Sequence, residues 1–311
     1  MPGVNLIGGS VEIHGHRGAR GLRPENTLPG FAHALALGVD AVELDVGFTA
    51  DGVPVLNHDQ VLSPVNVADT GPAEPGDPAF PYVGRAIREL TLAQFRTLDM
   101  GVRRPPDDED PFVLTQLPLP GTRPPTLDEA CALIGAAPDV RLAVELKTDP
   151  GWSGAEVERF TVAVAEVLAE RGLAGRGRVL AFDWRVLVAA RRHAPDLGRV
   201  ALVERKTLVP GTDWLAGLSP AEPANAALEI GATVLSPERH LTTPGFVAAA
   251  RAVALPVAVW TVNEPAEMDR CVDRGVDAIV TDYPDRLRAV LAARGLPVPA
   301  PFRTPVPAPT A

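Results

Sequence analysis

The stretch VELDVGFTADGVPVLNHD, residues 42–59, holds two signals that decide the fold. Its first half alternates apolar residues with Glu43 and Asp45, which is the period of a β-strand with one apolar face and one acidic face. The pair Asp51-Gly52 is a strong turn signal, and the gap around it is too short for a parallel crossover. The stretch therefore predicts a hairpin, in which VPVLNH (53–58) returns antiparallel to AVELDV (41–46).

Short apolar segments alternate with amphipathic segments along the rest of the chain, as in βα units around a parallel sheet. With the return strand of the hairpin set aside, eight strands are predicted, at 11–16, 41–46, 141–147, 178–183, 199–204, 232–237, 256–262 and 277–282. Helices are predicted at 28–37, 155–170, 185–193, 221–230, 245–254, 265–273 and 284–293. This order matches a (β/α)₈ TIM barrel. A doubly wound sheet stays open as the alternative, without a Gly-rich fingerprint to favour it.

The predicted barrel elements leave two long segments of the chain unassigned, and these determine the predicted domain organisation. We expect one barrel domain at residues 1–296, interrupted at 60–140 by a long insertion between barrel strands 2 and 3. This segment contains two predicted helices, 91–98 and 126–134. Long loops in barrels often cover the active-site face, and a passive insertion is the alternative. Residues 297–311 are rich in Pro and Ala, which predicts a disordered tail.

The composition excludes several classes of protein. The 29 Lys and Arg residues against 39 Asp and Glu give a net charge of −10, and there is no long basic run. We therefore expect no binding to nucleic acid and no stable membrane association. No leader-like or membrane-spanning apolar stretch is visible, which predicts a cytoplasmic protein. Cys131 and Cys271 lack metal-ligand spacing and are expected to be reduced and buried.

Charged side chains concentrate where three consecutive barrel strands end, the edge at which such barrels carry their active sites. They are His16 and Arg17, Glu43 and Asp45, and Glu145 and Lys147. Three converging carboxylates repel one another unless a cation binds them, and Mg²⁺ or Ca²⁺ prefers oxygen ligands. The sequence therefore predicts a divalent metal site at Glu43, Asp45 and Glu145, in preference to a network of salt bridges.

Two histidines and two cations extend this predicted site. His16 and His58 are candidates for the general acid and base because imidazole titrates near neutral pH. His14 stays open between a third member of the site and a core residue. Arg17 and Lys147 would supply positive charge for a phosphate, with structural ion pairs as the alternative.

Two further residues receive weaker predictions. Trp260 lies near the end of a predicted strand, where it forms an apolar wall for the substrate or fills the core. Glu25 lies in a Pro-Glu-Asn-Thr run in which Asn26 or Thr27 caps the following helix. We expect Glu25 to support one of the residues that bind metal or substrate.

The ordered set of motifs resembles the glycerophosphodiester phosphodiesterases. The matching elements are His16-Arg17-Gly18, Pro24-Glu25-Asn26-Thr27, Glu43-Leu44-Asp45-Val46, Thr49 with Asp51-Gly52, His58-Asp59, Glu145-Leu146-Lys147, Trp260-Thr261-Val262-Asn263 and Thr281-Asp282-Tyr283-Pro284. Each motif is weak by itself, but their order along residues 11–290 is specific. The resemblance implies a metal-dependent barrel that hydrolyses a glycerophosphodiester to sn-glycerol 3-phosphate and an alcohol.

The resemblance also implies roles for the candidate residues. Glu43, Asp45 and Glu145 would bind the metal, His16 and His58 would act as acid and base, and Arg17 and Lys147 would contact the phosphate. The glycerol 2-hydroxyl would be the internal nucleophile, through a cyclic phosphate. Residues 61–72 and Ala181 depart from the family pattern, which leaves the preference for the alcohol open.

Two alternative functions remain at this point. A lysophospholipase D-type phosphodiesterase needs an apolar channel for an acyl chain, which Phe80, Tyr82 and Phe95 of the insertion would line. A non-catalytic barrel that only binds a ligand would have lost a carboxylate or a histidine of the set, and none is missing.

Overall fold

The computed structural model describes residues 10–105, 107 and 109–303. Its strands are β1 (Glu12–Gly15), β2 (Ala41–Phe48), β3 (Pro54–Leu56), β4 (Ala68–Asp69), β5 (Leu98–Asp99), β6 (Arg141–Leu146), β7 (Gly177–Ala181), β8 (Gly198–Val203), β9 (Val234–Pro237), β10 (Ala258–Val259) and β11 (Ala278–Thr281). Its α-helices are α1 (Leu28–Leu37), α2 (Leu92–Phe95), α3 (Leu127–Gly135), α4 (Gly154–Glu170), α5 (Arg185–His193), α6 (Pro223–Glu229), α7 (Pro244–Ala252), α8 (Pro265–Arg274) and α9 (Pro284–Ala293). A 3₁₀ turn spans Ile87–Glu89.

Eight of these strands form a parallel barrel in the order β10-β11-β1-β2-β6-β7-β8-β9. Single parallel bridges between Leu235 and Val257 and between Glu238 and Trp260 bring β9 next to β10 and nearly close the ring. The predicted (β/α)₈ barrel is confirmed. The predicted helices recur with shifts of at most about two residues at each end, except that 91–98 shortens to the single turn of α2.

The predicted hairpin is present at the edge of this ring. β3 pairs antiparallel to β2, with Val46 opposite Leu56 and Phe48 opposite Pro54. Gly52 has a φ of 82°, a left-handed conformation that glycine adopts without strain. The hairpin brings the segment after Leu56 back to the carboxyl end of β2.

Alternation along the strands divides the barrel into an outer and an inner layer. Outward residues such as Leu44, Val46 and Val144 are fully or almost fully buried under the helices. The inner layer is apolar in its middle, and its members are Ala143, Leu180, Val200, Leu202, Val234, Ala258 and Ala278. Charged residues occupy only the two ends of the interior, so the barrel is a closed core and not a pore.

The amino-terminal end of the barrel, called the bottom below, holds one charged cluster. Glu12 lies 2.7 Å from Arg141, 3.4 Å from Arg178 and 2.9 Å from the Nε2 atom of His14. His14 is 4% exposed and belongs to this cluster, so the alternative of a third histidine in the predicted site is wrong. His14 therefore belongs to the bottom of the barrel, although β1 ends only one residue later, at Gly15.

The segment predicted as an insertion contains one helix of the outer ring and a separate core. Its α3 packs against α1 and α4 in the outer ring of helices. The remainder surrounds a separate cluster that includes Val67, Tyr82 and Phe95. Tyr82 and Phe95 are fully buried there, and Phe80 packs against the Tyr82 ring. The predicted acyl channel is therefore wrong, because these side chains form the insertion's core.

The carboxy-terminal segment is held against the barrel as far as it is described. The backbone N–H of Phe302 donates to the carbonyl of Leu35, and Arg288 donates to the carbonyl of Pro299 at 2.6 Å. Residues 297–303 are thus held against the barrel, and residues 304–311 of the predicted tail lie outside the described part. Cys131 and Cys271 are buried, as predicted. Within the described ranges, every helix falls short of the length and apolarity needed to cross a membrane.

Candidate active site

Three carboxylates meet at the carboxyl end of the barrel, called the mouth below. β2 and β6 are neighbours, and their register sets Asp45 directly opposite Glu145. One carboxylate oxygen from each of Glu43, Asp45 and Glu145 lies within 4.8 Å of the others, and all three residues are buried. Parallel pairing therefore brings together carboxylates that are about a hundred residues apart in sequence.

Asp45 has the most partners of the three carboxylates. Lys147 places its Nζ atom 2.9 Å from Oδ1, and Arg17 places its Nε atom 3.0 Å from Oδ2. The side-chain amide of Asn26 also donates to Oδ2, at 2.9 Å. Burial alone would raise the pKa of Asp45, but Lys147 and Arg17 hold it well below its ordinary value. The two cations therefore favour the ionised form of Asp45.

Glu43 is in the opposite situation. Its Oε2 atom accepts the backbone N–H of Arg17 at 2.8 Å, whereas its Oε1 atom is buried without a hydrogen-bond partner among the described residues. Burial raises the pKa of Glu43 well above its ordinary value, and the charges of Asp45 and Glu145 raise it further. The cluster therefore has more negative charge than its protein cations neutralise.

These features fit a divalent cation. Buried carboxylate oxygens are the ligands that Mg²⁺ and Ca²⁺ prefer, and the orphaned Oε1 of Glu43 lies among them. Lys147 already places a cation between two of the carboxylates, since its Nζ atom is 2.5 Å from Glu145 and 2.9 Å from Asp45. A divalent cation among these oxygens would neutralise the remaining negative charge.

His16 follows the last residue of β1 and is fixed from behind. Its Nδ1 atom lies 2.6 Å from Oδ1 of Asp282, and its Nε2 atom lies 4.0 Å from Oε2 of Glu43. Since a carboxylate only accepts, the Nδ1 atom carries the proton and Nε2 is free to exchange one. Burial lowers the pKa of His16, and the charge of Asp282 opposes this shift. Asn263 donates to Asp282 at 2.7 Å and orients it.

His58 reaches the mouth by the hairpin. Its Nδ1 atom lies 2.8 Å from Oδ1 of Asp59, and its side chain is 35% exposed, compared with 12% for His16. The backbone N–H of Asn57 donates to the carbonyl of Asp45 and ties this segment to β2. The structure thus brings both predicted histidines to the carboxylate cluster, one buried and one open to solvent.

Arg17 and Glu25 form a buried pair beside the carboxylates. Arg17 donates to Oε1 of Glu25 at 2.8 Å, in addition to its contact with Asp45. Burial would raise the pKa of Glu25, but Arg17 and Arg20 lower it below its ordinary value. Glu25 therefore holds the Arg17 guanidinium in place.

Trp260 lies on the other side of the mouth, against an aromatic partner. Its ring meets Phe182 edge to face, with centroids 5.4 Å apart, and its Nε1 atom donates to the carbonyl of Ser236. Both rings pack on the inner apolar layer and remain partly exposed. Trp260 thus forms part of an apolar wall that faces the mouth.

Several residues at the mouth were missed by the sequence interpretation. Asn26 is more than a possible helix cap, because its side chain is hydrogen-bonded to Asp45 in both directions. Asp282 and Asn263 fix His16, and the Thr-Asp-Tyr-Pro and Trp-Thr-Val-Asn motifs were the available signal for them. Arg103 lies 3.7 Å from Glu25 and comes from the insertion, in a part of the chain without a motif that would have indicated it.

The fold and this site define a (β/α)₈ barrel whose mouth carries a buried cluster of three carboxylates. The family model described as glycerophosphoryl diester phosphodiesterase matches residues 16–286, which cover the barrel from the end of β1 into α9, including the insertion. The chain belongs to this family, and the resemblance and the enzyme class predicted from the motifs are confirmed.

Curated relatives agree over almost the whole chain. A glycerophosphodiester phosphodiesterase of Caldanaerobacter subterraneus is 28% identical over 88% of this chain and 94% of its own length. A second protein of that description, from Bacillus subtilis, is 27% identical over 88% of this chain and 84% of its own length. The match extends across the insertion, so the relatives share more than the barrel.

Solved structures support the same assignment. A protein of Silicibacter pomeroyi assigned to the glycerophosphoryl diester phosphodiesterases superposes with a TM-score of 0.81, at 36% identity, over 93% of this chain and 95% of that one. A phosphodiesterase of Oleispira antarctica, solved with the product sn-glycerol-3-phosphate, superposes with a TM-score of 0.68 at 24% identity, over 91% of this chain and 97% of that one. The second comparison concerns the fold alone.

Proposed function

We propose that this protein hydrolyses glycerophosphodiesters to sn-glycerol 3-phosphate and an alcohol, with a divalent metal ion and two histidines. One observation carries the proposal. Glu43 is a buried carboxylate with an unpartnered oxygen, and it lies beside Asp45, Glu145 and the free Nε2 atom of His16. Membership of the family supplies the substrate class, and the names of the relatives agree with it.

Glu43, Asp45 and Glu145 would hold the metal. When bound, a divalent ion neutralises charge on the phosphate oxygens and lowers the pKa of a nearby hydroxyl. Which ion acts here, Mg²⁺ or Ca²⁺, is left to experiment. Arg17 and Lys147 would position the phosphate by charge and hydrogen bonds, because both lie directly against Asp45. Glu25 would support this arrangement by holding Arg17.

The two histidines would transfer the protons. In the first step the glycerol 2-hydroxyl oxygen forms a bond to phosphorus, and the bond from phosphorus to the alcohol oxygen breaks. One histidine takes the proton of the attacking hydroxyl, and the other gives a proton to the departing alcohol. Water then opens the cyclic phosphate in the reverse sense. His16 is suited to this exchange because Asp282 fixes its ring with Nε2 directed toward the carboxylates.

The experiment is a substrate panel with and without chelator. Purified protein with Mg²⁺ or Ca²⁺ and glycerophosphocholine or glycerophosphoethanolamine should release sn-glycerol 3-phosphate, measured by an enzyme-coupled assay. A chelator should abolish the signal, and adding the ion back should restore it. Failure to cleave any glycerophosphodiester with any divalent metal would refute the proposal.

The same panel separates this function from a lysophospholipase D-type activity. The aromatic side chains proposed to line an acyl channel lie in the core of the insertion, and no other feature favours an acyl substrate. We therefore expect lysophosphatidylcholine to be cleaved much more slowly than glycerophosphocholine. The substrate is a small soluble molecule in this proposal, and a cytoplasmic location agrees with it.

A further inference from the structure

A cavity of about 180 Å³ lies between the insertion and the loop that connects β6 with α4. The barrel contributes Gly47, Phe48, Lys147, Asp149, Gly151 and Trp152 to its wall, and the segments after the hairpin contribute Gln60, Val61, Ala86, Ile87 and Arg88. Neither the metal cluster nor either histidine lines it. It is therefore a separate space that shares one residue, Lys147, with the candidate active site.

Three residues of the cavity wall each lie two positions after a proposed site residue. Gly47 follows Asp45 by two positions on the same face of β2, and Lys147 follows Glu145 by two positions in the same way. Gln60 follows His58 by two positions. Two residues of extended chain span about 6 to 7 Å. The cavity thus lies directly above the carboxylates and beside His58.

Its wall is fixed and carries polar groups. Gln60 donates to Oδ2 of Asp149 at 3.1 Å and accepts the indole N–H of Trp152 at 3.1 Å. The guanidinium carbon of Arg88 lies 5.7 Å from the centroid of the Trp152 ring. Gly47 leaves room for the insertion, because a Cβ atom there would lie 2.9 Å from Cδ1 of Ile87. Polar groups of fixed position above an apolar floor are what a small polar ligand requires.

We propose that this cavity binds the alcohol that leaves, a short polar head group, and this inference rests on the proposed function. In phosphoryl transfer the attacking and leaving oxygens lie on opposite sides of phosphorus. The two histidines serve these two sides, and the cavity lies on the side of His58. His58 is also the more exposed of the two histidines, which suits the part of the substrate that departs first.

The size of the cavity sets the class of head group. Pockets that enclose a whole drug-sized ligand measure roughly 300 to 1,000 Å³. A volume of about 180 Å³ accepts a part of a substrate, such as an ethanolamine, choline or glycerol group. Val61 and Ile87 form part of its wall, and we expect their bulk to limit the entry of a larger group such as an inositol ring. Head-group size is therefore the property that this cavity selects.

Two substitutions at Val61, one to a larger and one to a smaller side chain, test the inference. Val61 lines the cavity and is 51% exposed, so its side chain can be changed without opening the core. Val61→Trp fills the space, and Val61→Ala enlarges it. Val209→Trp is the matched control, because Val209 is 48% exposed and does not line this cavity. Each variant is assayed on glycerophosphoethanolamine and glycerophosphoinositol, with folding checked by circular dichroism.

The measured quantity is the ratio of kcat/KM for the two substrates. Val61→Trp should lower kcat/KM for glycerophosphoinositol at least about tenfold more than for glycerophosphoethanolamine, and Val61→Ala should shift the ratio the other way. Val209→Trp should keep the wild-type ratio. Equal losses on both substrates, or unchanged ratios in both Val61 variants, would overturn the inference while leaving the proposed function intact. A wild-type protein that cleaves neither substrate would instead refute the proposed function. If Val61→Trp fails to fold, the ratio in Val61→Ala decides.

Discussion

The two ends of the barrel interior hold the same kinds of residue but pair them differently. At the bottom, one carboxylate meets several partners, since Glu12 contacts Arg141, Arg178 and His14. This arrangement lowers the pKa of Glu12 to about 2, because His14, Arg178 and Arg141 outweigh the effect of its burial. The bottom cluster thus neutralises its own charge, and among the described residues none of its side-chain atoms is buried without a partner.

At the mouth the balance is reversed. Three carboxylates share Arg17 and Lys147, and Arg17 is also held by Glu25. The result is a raised pKa at Glu43 and an orphaned buried oxygen, which burial and the neighbouring carboxylates cause together. Burying charge costs free energy unless a partner compensates it. The comparison teaches that the compensated cluster stabilises the fold, whereas the uncompensated cluster leaves negative charge that a bound cation would neutralise.

The largest expected effect is on kcat/KM, and it distinguishes His16 from His14, which lies two residues earlier. His16→Ala should lower kcat/KM for glycerophosphocholine by about 10²- to 10⁴-fold, the usual contribution of a general acid or base. His14→Ala is the matched control two residues away, and it should keep kcat/KM near the wild-type value while unfolding at lower urea concentration. Equal activities in the two variants would mean that His16 takes no part in catalysis.

The next effect concerns stability at the bottom. Glu12→Gln should lower the free energy of unfolding by about 3 to 5 kcal/mol, because Arg178 stays buried without its carboxylate. Urea titration in the absence of metal measures this. Glu43→Gln is the counterpart at the mouth and should unfold no earlier than the wild type under these conditions, because it relieves repulsion with Asp45 and Glu145. Destabilisation of both variants to the same extent would contradict the comparison.

Divalent metal should stabilise Glu12→Gln far more than Glu43→Gln, and the Tm measures this difference. At a concentration a hundredfold above its dissociation constant, a ligand of the folded state adds about 2.7 kcal/mol of stability. Mg²⁺ or Ca²⁺ should therefore raise the Tm of the wild type and of Glu12→Gln, and chelator should reverse the shift. Glu43→Gln should lose most of this shift. An equal rise in Glu43→Gln would place the cation elsewhere.

The smallest expected effect is on the way the free energy of unfolding decreases as the pH is lowered. The pKa of Glu12 is about 2 in the folded chain and about 4.5 for a free carboxyl group. As the pH falls between these values, the unfolded chain takes up a proton that the folded chain refuses, so the stability from Glu12 decreases. One such group contributes a slope of up to about 1.4 kcal/mol per pH unit.

Urea titrations between pH 6 and 3 should therefore bring the wild type and Glu12→Gln closer together as the pH falls. The comparison between the two proteins is needed because other buried carboxylates also lose stabilising contacts in acid. A gap that stays constant over this range would show that folding does not shift the pKa of Glu12.

Much of this protein follows from local patterns in its sequence. Alternation in AVELDV and the Asp51-Gly52 turn predicted the hairpin, and the βα order predicted the barrel. The period of two also predicted that Glu43 and Asp45 share a face, since successive side chains on a strand point to opposite sides. The candidate site was thus readable as a set of residues at strand ends.

Other features depend on contacts between distant segments. His14 and His16 have the same spacing as Glu43 and Asp45, yet they lie at opposite ends of the barrel interior. The aromatic residues of the insertion turned inward because the insertion buries enough apolar surface to form a core. No local pattern distinguishes an aromatic residue that lines a channel from one that fills a core.

The sequence by itself determined the strands, their faces and the chemical types available at their ends, because these depend on neighbours a few residues apart. The tertiary structure decided which charges are compensated. Glu12 finds Arg141 and Arg178, whereas Glu43 finds two more carboxylates, and these partners come from strands far along the chain. The free energy of a buried charge depends on what lies within a few ångströms of it. Only the closed barrel sets those distances, and it leaves the unbalanced charge at the mouth.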